Sequence, residues 1–170
     1  MNIEIYPLDK VVFDGVPVYL GMERFVVENA IGTGHLIGKR YYYYNNELAI
    51  DYNDNDTVEF IEFLGGSEGS LQPTIYGVSV FGTDAAEVAE ILEQKNDGEI
   101  TDIEHGYSYS FSNISVGVYR EIRPSDVLDM MEAMKEDGIP TEDNEDLVVD
   151  MQKANHWTTI GVGIAGYYQR

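Results

Sequence analysis

Four consecutive tyrosines, Tyr41 to Tyr44, constrain the fold more than any other feature of the chain. On an extended strand, successive side chains point to opposite faces, and aromatic residues suit a pleated, half-buried surface. The stretch runs from Lys39 to Tyr52, with Leu48, Ile50 and Tyr52 on one face at period two. Asn53-Asp54-Asn55-Asp56 has turn composition, and Thr57 to Leu64 reads as a returning strand. Residues 39–64 therefore predict a long β-hairpin.

The flanking segments alternate strands with short helices. Ile3 to Tyr6 and Val11 to Tyr19, the latter broken by Asp14-Gly15, predict a second hairpin. Met22 to Ile31 places Met22, Phe25, Val26 and Ala30 near helical spacing before Gly32, and Gly32 to Gly38 reads as a connection. After a Gly/Ser/Glu loop at 65–73 comes a strand from Ile75 to Phe81. A helix capped at Thr83 or Asp84 follows, with Ala85, Val88, Ala89 and Leu92 as its apolar stripe. Tyr107 to Phe111 and Ile114 to Ile122 predict two more strands. Two helices follow, Asp126 to Asp137 facing in through Val127, Leu128, Met131 and Met134, and Glu145 to Asn155 through Leu147, Val148, Met151 and Ala154. Thr158 to Tyr168 is the last strand, its Gly161, Gly163 and Ala165 marking a face that another backbone approaches.

These elements predict an α+β fold, with a mostly antiparallel sheet of six to eight strands and four helices. The chain reads as one domain, residues 1–170. Within it, a strand, Gly21, a helix and Tyr41 to Tyr52 run parallel to a strand, Gly82, a helix and Tyr107 to Val118. That pattern fits a duplicated strand–helix–strand–strand unit over 1–70 and 71–123, or a chance recurrence of short α+β patterns. Residues 124–170 then form a helical extension and a final strand.

Ten Lys and Arg stand against 31 Asp and Glu, a formal net charge of −21. Such a field repels nucleic acid and anionic membrane and attracts basic surfaces, or serves solubility alone. The chain has no cysteine, which excludes disulfides and thiolate metal sites. Its first residues lack a basic n-region and an apolar h-region, and no apolar run spans a membrane, so a cytoplasmic protein is expected.

Catalytic and metal motifs fail on their context. Asp51 to Glu62 puts oxygen ligands at EF-hand positions, but Asp56 stands where the loop needs glycine and both flanks read as strands. Gly65-Gly66-Ser67-Glu68-Gly69 matches G-x-S-x-G, yet Ser70-Leu71-Gln72-Pro73 does not open a helix. Gly32-Thr33-Gly34 follows a helix, the wrong context for a phosphate loop. His35, His105 and His156 fall in no ligand spacing, and no carboxylate pair stands out. No enzyme activity, cofactor or metal is expected.

Aromatic and acidic residues remain as candidates for binding a protein. Two of Tyr41, Tyr42, Tyr43 and Tyr44 should face away from the core, where they either anchor an interface or only cover the sheet. Asp54 and Asp56 at the hairpin turn would steer a basic partner.

Val18-Tyr19-Leu20-Gly21-Met22, followed by a helix and Gly32, resembles the strand–LGM–helix–glycine opening of tandem α+β units in β-lactamase-inhibitor-type proteins and small outer-membrane assembly lipoproteins. The likeness covers the first 32 residues. In size, acidity and aromatic clusters the chain is similar to bacterial toxin-neutralising immunity proteins. Both resemblances imply inhibition by binding. The families in the first are exported, so their location and partner do not carry over. It is the charge that makes the expected target basic, such as a toxin, with no nucleic-acid or membrane partner. The alternatives are a structural or regulatory domain, or an enzyme with an acidic cleft.

Overall fold

The computed structural model describes all 170 residues. β1 (Ile3–Tyr6), β2 (Lys10–Phe13) and β3 (Val16–Tyr19) form an antiparallel meander. Its second turn uses the left-handed residues Asp14 and Gly15, as the sequence pattern anticipates. β8 (Thr74–Ile75) and β9 (Val78–Ser79) extend this sheet to five strands in the order β3-β2-β1-β8-β9. The β1–β8 pair is parallel and every other pair in both sheets is antiparallel. The single strand expected over Ile75 to Phe81 is broken by Tyr76 and Gly77, both at positive φ, and Val80 and Phe81 turn into the core.

The second sheet is larger. β4 (His35–Ile37), β5 (Arg40–Tyr43), β6 (Leu48–Tyr52) and β7 (Val58–Phe63) make one meander. β10 (Ile100–Thr101), β11 (Ser108–Phe111), β12 (Val116–Tyr119) and β13 (Thr159–Gly163) make another, and β13 pairs with β7 to join them. The order β10-β11-β12-β13-β7-β6-β5-β4 places the last strand at the centre.

Two sequence expectations change here. Residues 39–52 are two strands, because Tyr44, Asn45 and Asn46 adopt φ of 52°, 53° and 65° and reverse the chain. Asparagine visits this region at low cost, and Tyr44 is carried with it. The connection Gly32 to Gly38 contains the edge strand β4, whose backbone pairs with β5 although its side chains are exposed.

α1 (Arg24–Ile31) and α2 (Ala85–Asn96) lie with the five-stranded sheet on one face of the large one. A cluster of 26 buried residues draws on all of them. α1 presents Val27 to the core, flanked by Met22 and Ile31, which leaves Phe25 61% exposed, against the sequence pattern. α2 buries Ala85, Val88 and Leu92 as expected, and Asp84 Oδ1 accepts from the Ala86 N–H at 3.0 Å. Trp157 seals the α2 N-terminus by donating from Nε1 to Ala85 O at 2.9 Å.

The arrangement contains a pseudo-two-fold repeat. β2-β3-α1-β4-β5-β6-β7 and β8-β9-α2-β10-β11-β12-β13 occupy corresponding places, and the sheet order reads alike from both edges. Buried residues match pairwise: Val27 with Val88, Tyr43 with Phe111, Leu48 with Val116, Ile61 with Ile160, Phe63 with Val162. The paired residues Glu62 and Gly161 sit on the axis. The second unit thus runs on to β13, past residue 123 where the sequence pattern ends it. α3 (Pro124–Glu136) and α4 (Glu145–Ala154) are inserted before its last strand. That insertion has its own small core of Val127, Leu147 and Ala154, while Leu128 and Val148, expected inside, are each 56% exposed. Two helices that pack mainly on each other need only a narrow apolar seam.

Candidate functional site

Strand alternation sorts the large sheet into two faces. Tyr41 and Tyr43 point with Leu48 and Ile50 to the core, and Tyr42, paired with Ala49, points away. Tyr43 is 3% exposed, and its hydroxyl lies 2.6 Å from that of Tyr52 and 3.4 Å from Glu28 Oε1. Burial pushes the Tyr43 hydroxyl up to about 12 and raises that of Tyr52 as well. Tyr44 leaves the strand register and stacks on Phe13, with ring centroids 5.9 Å apart. Of the four tyrosines, Tyr42 alone stands on the face away from the core.

Asp54 and Asp56 lie exposed at the tip of the β6–β7 hairpin. The turn is held from within, since Asn53 Oδ1 accepts from the N–H groups of Asn55 and Thr57 and from the Thr57 hydroxyl. Asp56 accepts from Arg24 Nε at 2.9 Å, and the Arg24 guanidinium sits 4.8 Å from the Tyr41 ring. Asp56 and Tyr41 therefore meet through Arg24 on the core side, and Tyr42 lies on the opposite face.

The face away from the core has features that the tyrosine run does not disclose. The C-terminal turn folds Tyr167 and Tyr168 back over it. Tyr167 stacks on Phe60 at 4.3 Å and 6°, and a side chain at Gly117, Gly161 or Gly163 would collide with Tyr168, Phe60 or Tyr167. The small residues of β13 thus admit aromatic rings, where the alternation had suggested a backbone. Burial and the nearby Glu62 raise the Tyr168 hydroxyl above its ordinary value. Beside these rings runs a groove of about 380 Å³. Glu62, Glu104, Ser108, Tyr119 and Tyr168 are among its lining residues. Next to it, Arg40 pairs with Asp51 and Glu62 at 2.7 Å each, leaving Nη2 buried without a partner.

The remaining motifs are structural in their surroundings. Residues 66–68 of the G-x-S-x-G segment form a 3-10 turn with no helix after it, and Glu47 Oε1 accepts from Ser70 N–H at 2.6 Å across it. Ser67 shares a pocket of about 180 Å³ with Lys153 and His156, but no hydrogen bond joins Ser67 to His156, whose Nδ1 lies 2.5 Å from Gln152 O. No group of three or more His, Asp or Glu side chains is placed to hold a metal ion. No helix is long and apolar enough to cross a membrane. No protein-family model, curated protein or solved structure matches the chain.

Proposed function

We propose that the protein is a cytoplasmic binding module for a basic protein, of the inhibitor kind that neutralises a toxin, and that it engages its partner with the open face of the eight-stranded sheet. The observation that carries this reading is the composition of that face. Tyr42, Tyr119, Tyr167 and Tyr168 stand there among Glu62 and Glu104, beside a groove of about 380 Å³. Tyrosines bring large contact area at low conformational cost, and acids confer preference for a basic surface. Asp54 and Asp56 project from the hairpin tip and, with a net charge of −21, steer the approach.

The partner is sought by capture from the source organism and among products of neighbouring genes. Recovery of a basic protein whose association is fast and salt-sensitive supports the reading. Tyr119→Ala and Tyr42→Ala should then speed dissociation, a true anchor losing about 2 kcal/mol or more. Reversal of Asp54 and Asp56 should slow association and flatten its salt dependence. A partner that is acidic or neutral, or turnover of a small molecule with no partner found, overturns it.

A further inference from the structure

The two units differ most where each helix crosses the sheet. In the first, Arg24 and Glu28 of α1 fill the space over Tyr41 and Tyr43. Arg24 lies against the Tyr41 ring, the Tyr43 hydroxyl donates to Glu28 Oε1, and Arg24 Nη1 lies 3.5 Å from Glu28 Oε2. With Val27 matched to Val88, the corresponding positions on α2 are Ala85 and Ala89, and they lie over Tyr109 and Phe111. Two alanines replace two long polar side chains, and a pocket of about 320 Å³ remains. Its walls are mostly apolar, with Ala85, Ala89, Ile100, Phe111 and Trp157 among them.

Two donors line this pocket without a protein acceptor. Arg120 donates from Nε to Gly106 O and from Nη1 to Ala154 O, each at 2.9 Å, and its guanidinium lies 4.8 Å from the Trp157 ring. Its Nη2 has no protein acceptor. The other four arginines, Arg24, Arg40, Arg123 and Arg170, each pair with a carboxylate, whereas Arg120 pairs with none in a chain that has 31 acids. The Tyr109 hydroxyl has no hydrogen-bond partner either. It and Arg120 Nη2 lie 3.7 and 3.8 Å from where a side chain at Gly106 would begin, with Arg123 Cδ at 3.5 Å.

We propose that this pocket binds a small apolar carboxylate, whose charged group meets Arg120 and Tyr109 as the Glu28 carboxylate meets Arg24 and Tyr43 in the first unit. The apolar part lies against Trp157, Phe111 and the alanines. Burial lowers the pKa of the Arg120 guanidinium, outweighing the attraction of Asp84 and Asp126, neither of which bonds to it. Glu90 and Glu93, the acids of the lining, are exposed to solvent that screens them. The site lies on the core side of the sheet and does not depend on the protein-binding reading of the other face.

Trp157 is the only tryptophan and reports on the pocket directly. 3-Phenylpropanoate titrated into the whole protein should change its emission saturably. 3-Phenylpropanamide, of the same shape without the charge, should bind at least about tenfold more weakly. Tyr109→Phe keeps the ring and should weaken the acid several-fold with an unchanged melting temperature. Ala89→Glu installs the internal carboxylate of the first unit and should abolish binding, with the circular dichroism of the wild type. Equal binding of acid and amide, no saturable change with either, or full binding by Ala89→Glu overturns the proposal.

Discussion

The first unit fills the space beneath its helix with its own side chains, and the second leaves that space open. Both units share strand order and buried positions, and the contrast comes from the side chains beneath each helix and from the insertion that brings Trp157 and Ala154 to the second unit. Glu28 and Arg24 satisfy one another and the tyrosines below them, whereas Ala85 and Ala89 leave the Tyr109 hydroxyl and Arg120 Nη2 without a protein acceptor. A repeated frame can thus keep one half as scaffold while the other gains a recess.

The largest effect should come at the shared core. Phe63→Ala should cost about 3–5 kcal/mol in denaturant unfolding, as a buried aromatic truncation does. Val162→Ala, at the matching place in the second unit, should cost less, about 2 kcal/mol. Equal losses would show that the units do not share the core as their register implies.

Glu28→Ala should destabilise the protein by about 1–2 kcal/mol, because it leaves the Tyr43 hydroxyl with Tyr52 alone and frees Arg24 from its helical partner. Ala89→Ser, a polar change at the matching position in the second unit, should move the unfolding midpoint much less. A Glu28→Ala variant as stable as wild type would remove the physical basis of the contrast.

Alkaline pH should distinguish the units next. Tyr43 and Tyr52 have raised pKa values in the folded state, chiefly from burial, so their contribution to stability is fully present below about pH 10. It is lost as pH climbs from there through the folded value, about 12 for Tyr43. Tyr43→Phe, which copies Phe111, should flatten unfolding midpoints measured between pH 9 and pH 12.

The smallest effect belongs to the helical insertion, which the first unit lacks. Side-chain and backbone hydrogen bonds from Arg123, with one from the Tyr107 hydroxyl, hold the Asp126 carboxyl well below the usual carboxylate range. Its contribution is present above about pH 4 and lost as pH falls below that. Asp126→Asn should therefore lose less helicity than wild type between pH 6 and pH 3, read by circular dichroism.

Local chemistry was legible wherever a neighbour in sequence is also a neighbour in space. Asp14-Gly15, the Asn53 turn, the α2 stripe and the four helices all follow from periods and turn residues, as does the α+β class. The Tyr41–Tyr44 run correctly announced a sheet but not the break at Tyr44, because three successive left-handed residues leave no periodic trace. The pocket was illegible for another reason. Ala85 and Ala89 look like ordinary members of an apolar stripe, and their meaning appears only beside Arg120, Tyr109 and Trp157, which arrive from distant strands and loops.

By itself, the sequence determined the charge, the α+β class, the four helices and the absence of disulfides. Only tertiary structure decided that β13 joins the halves by pairing with β7, that Tyr167 and Tyr168 close over its glycines, and that one helix leaves a recess where the other leaves none. Periodicity reports which face of an element avoids water. It does not report which distant element provides the cover, and in this protein that choice settles which polar groups are satisfied and which remain free for a ligand.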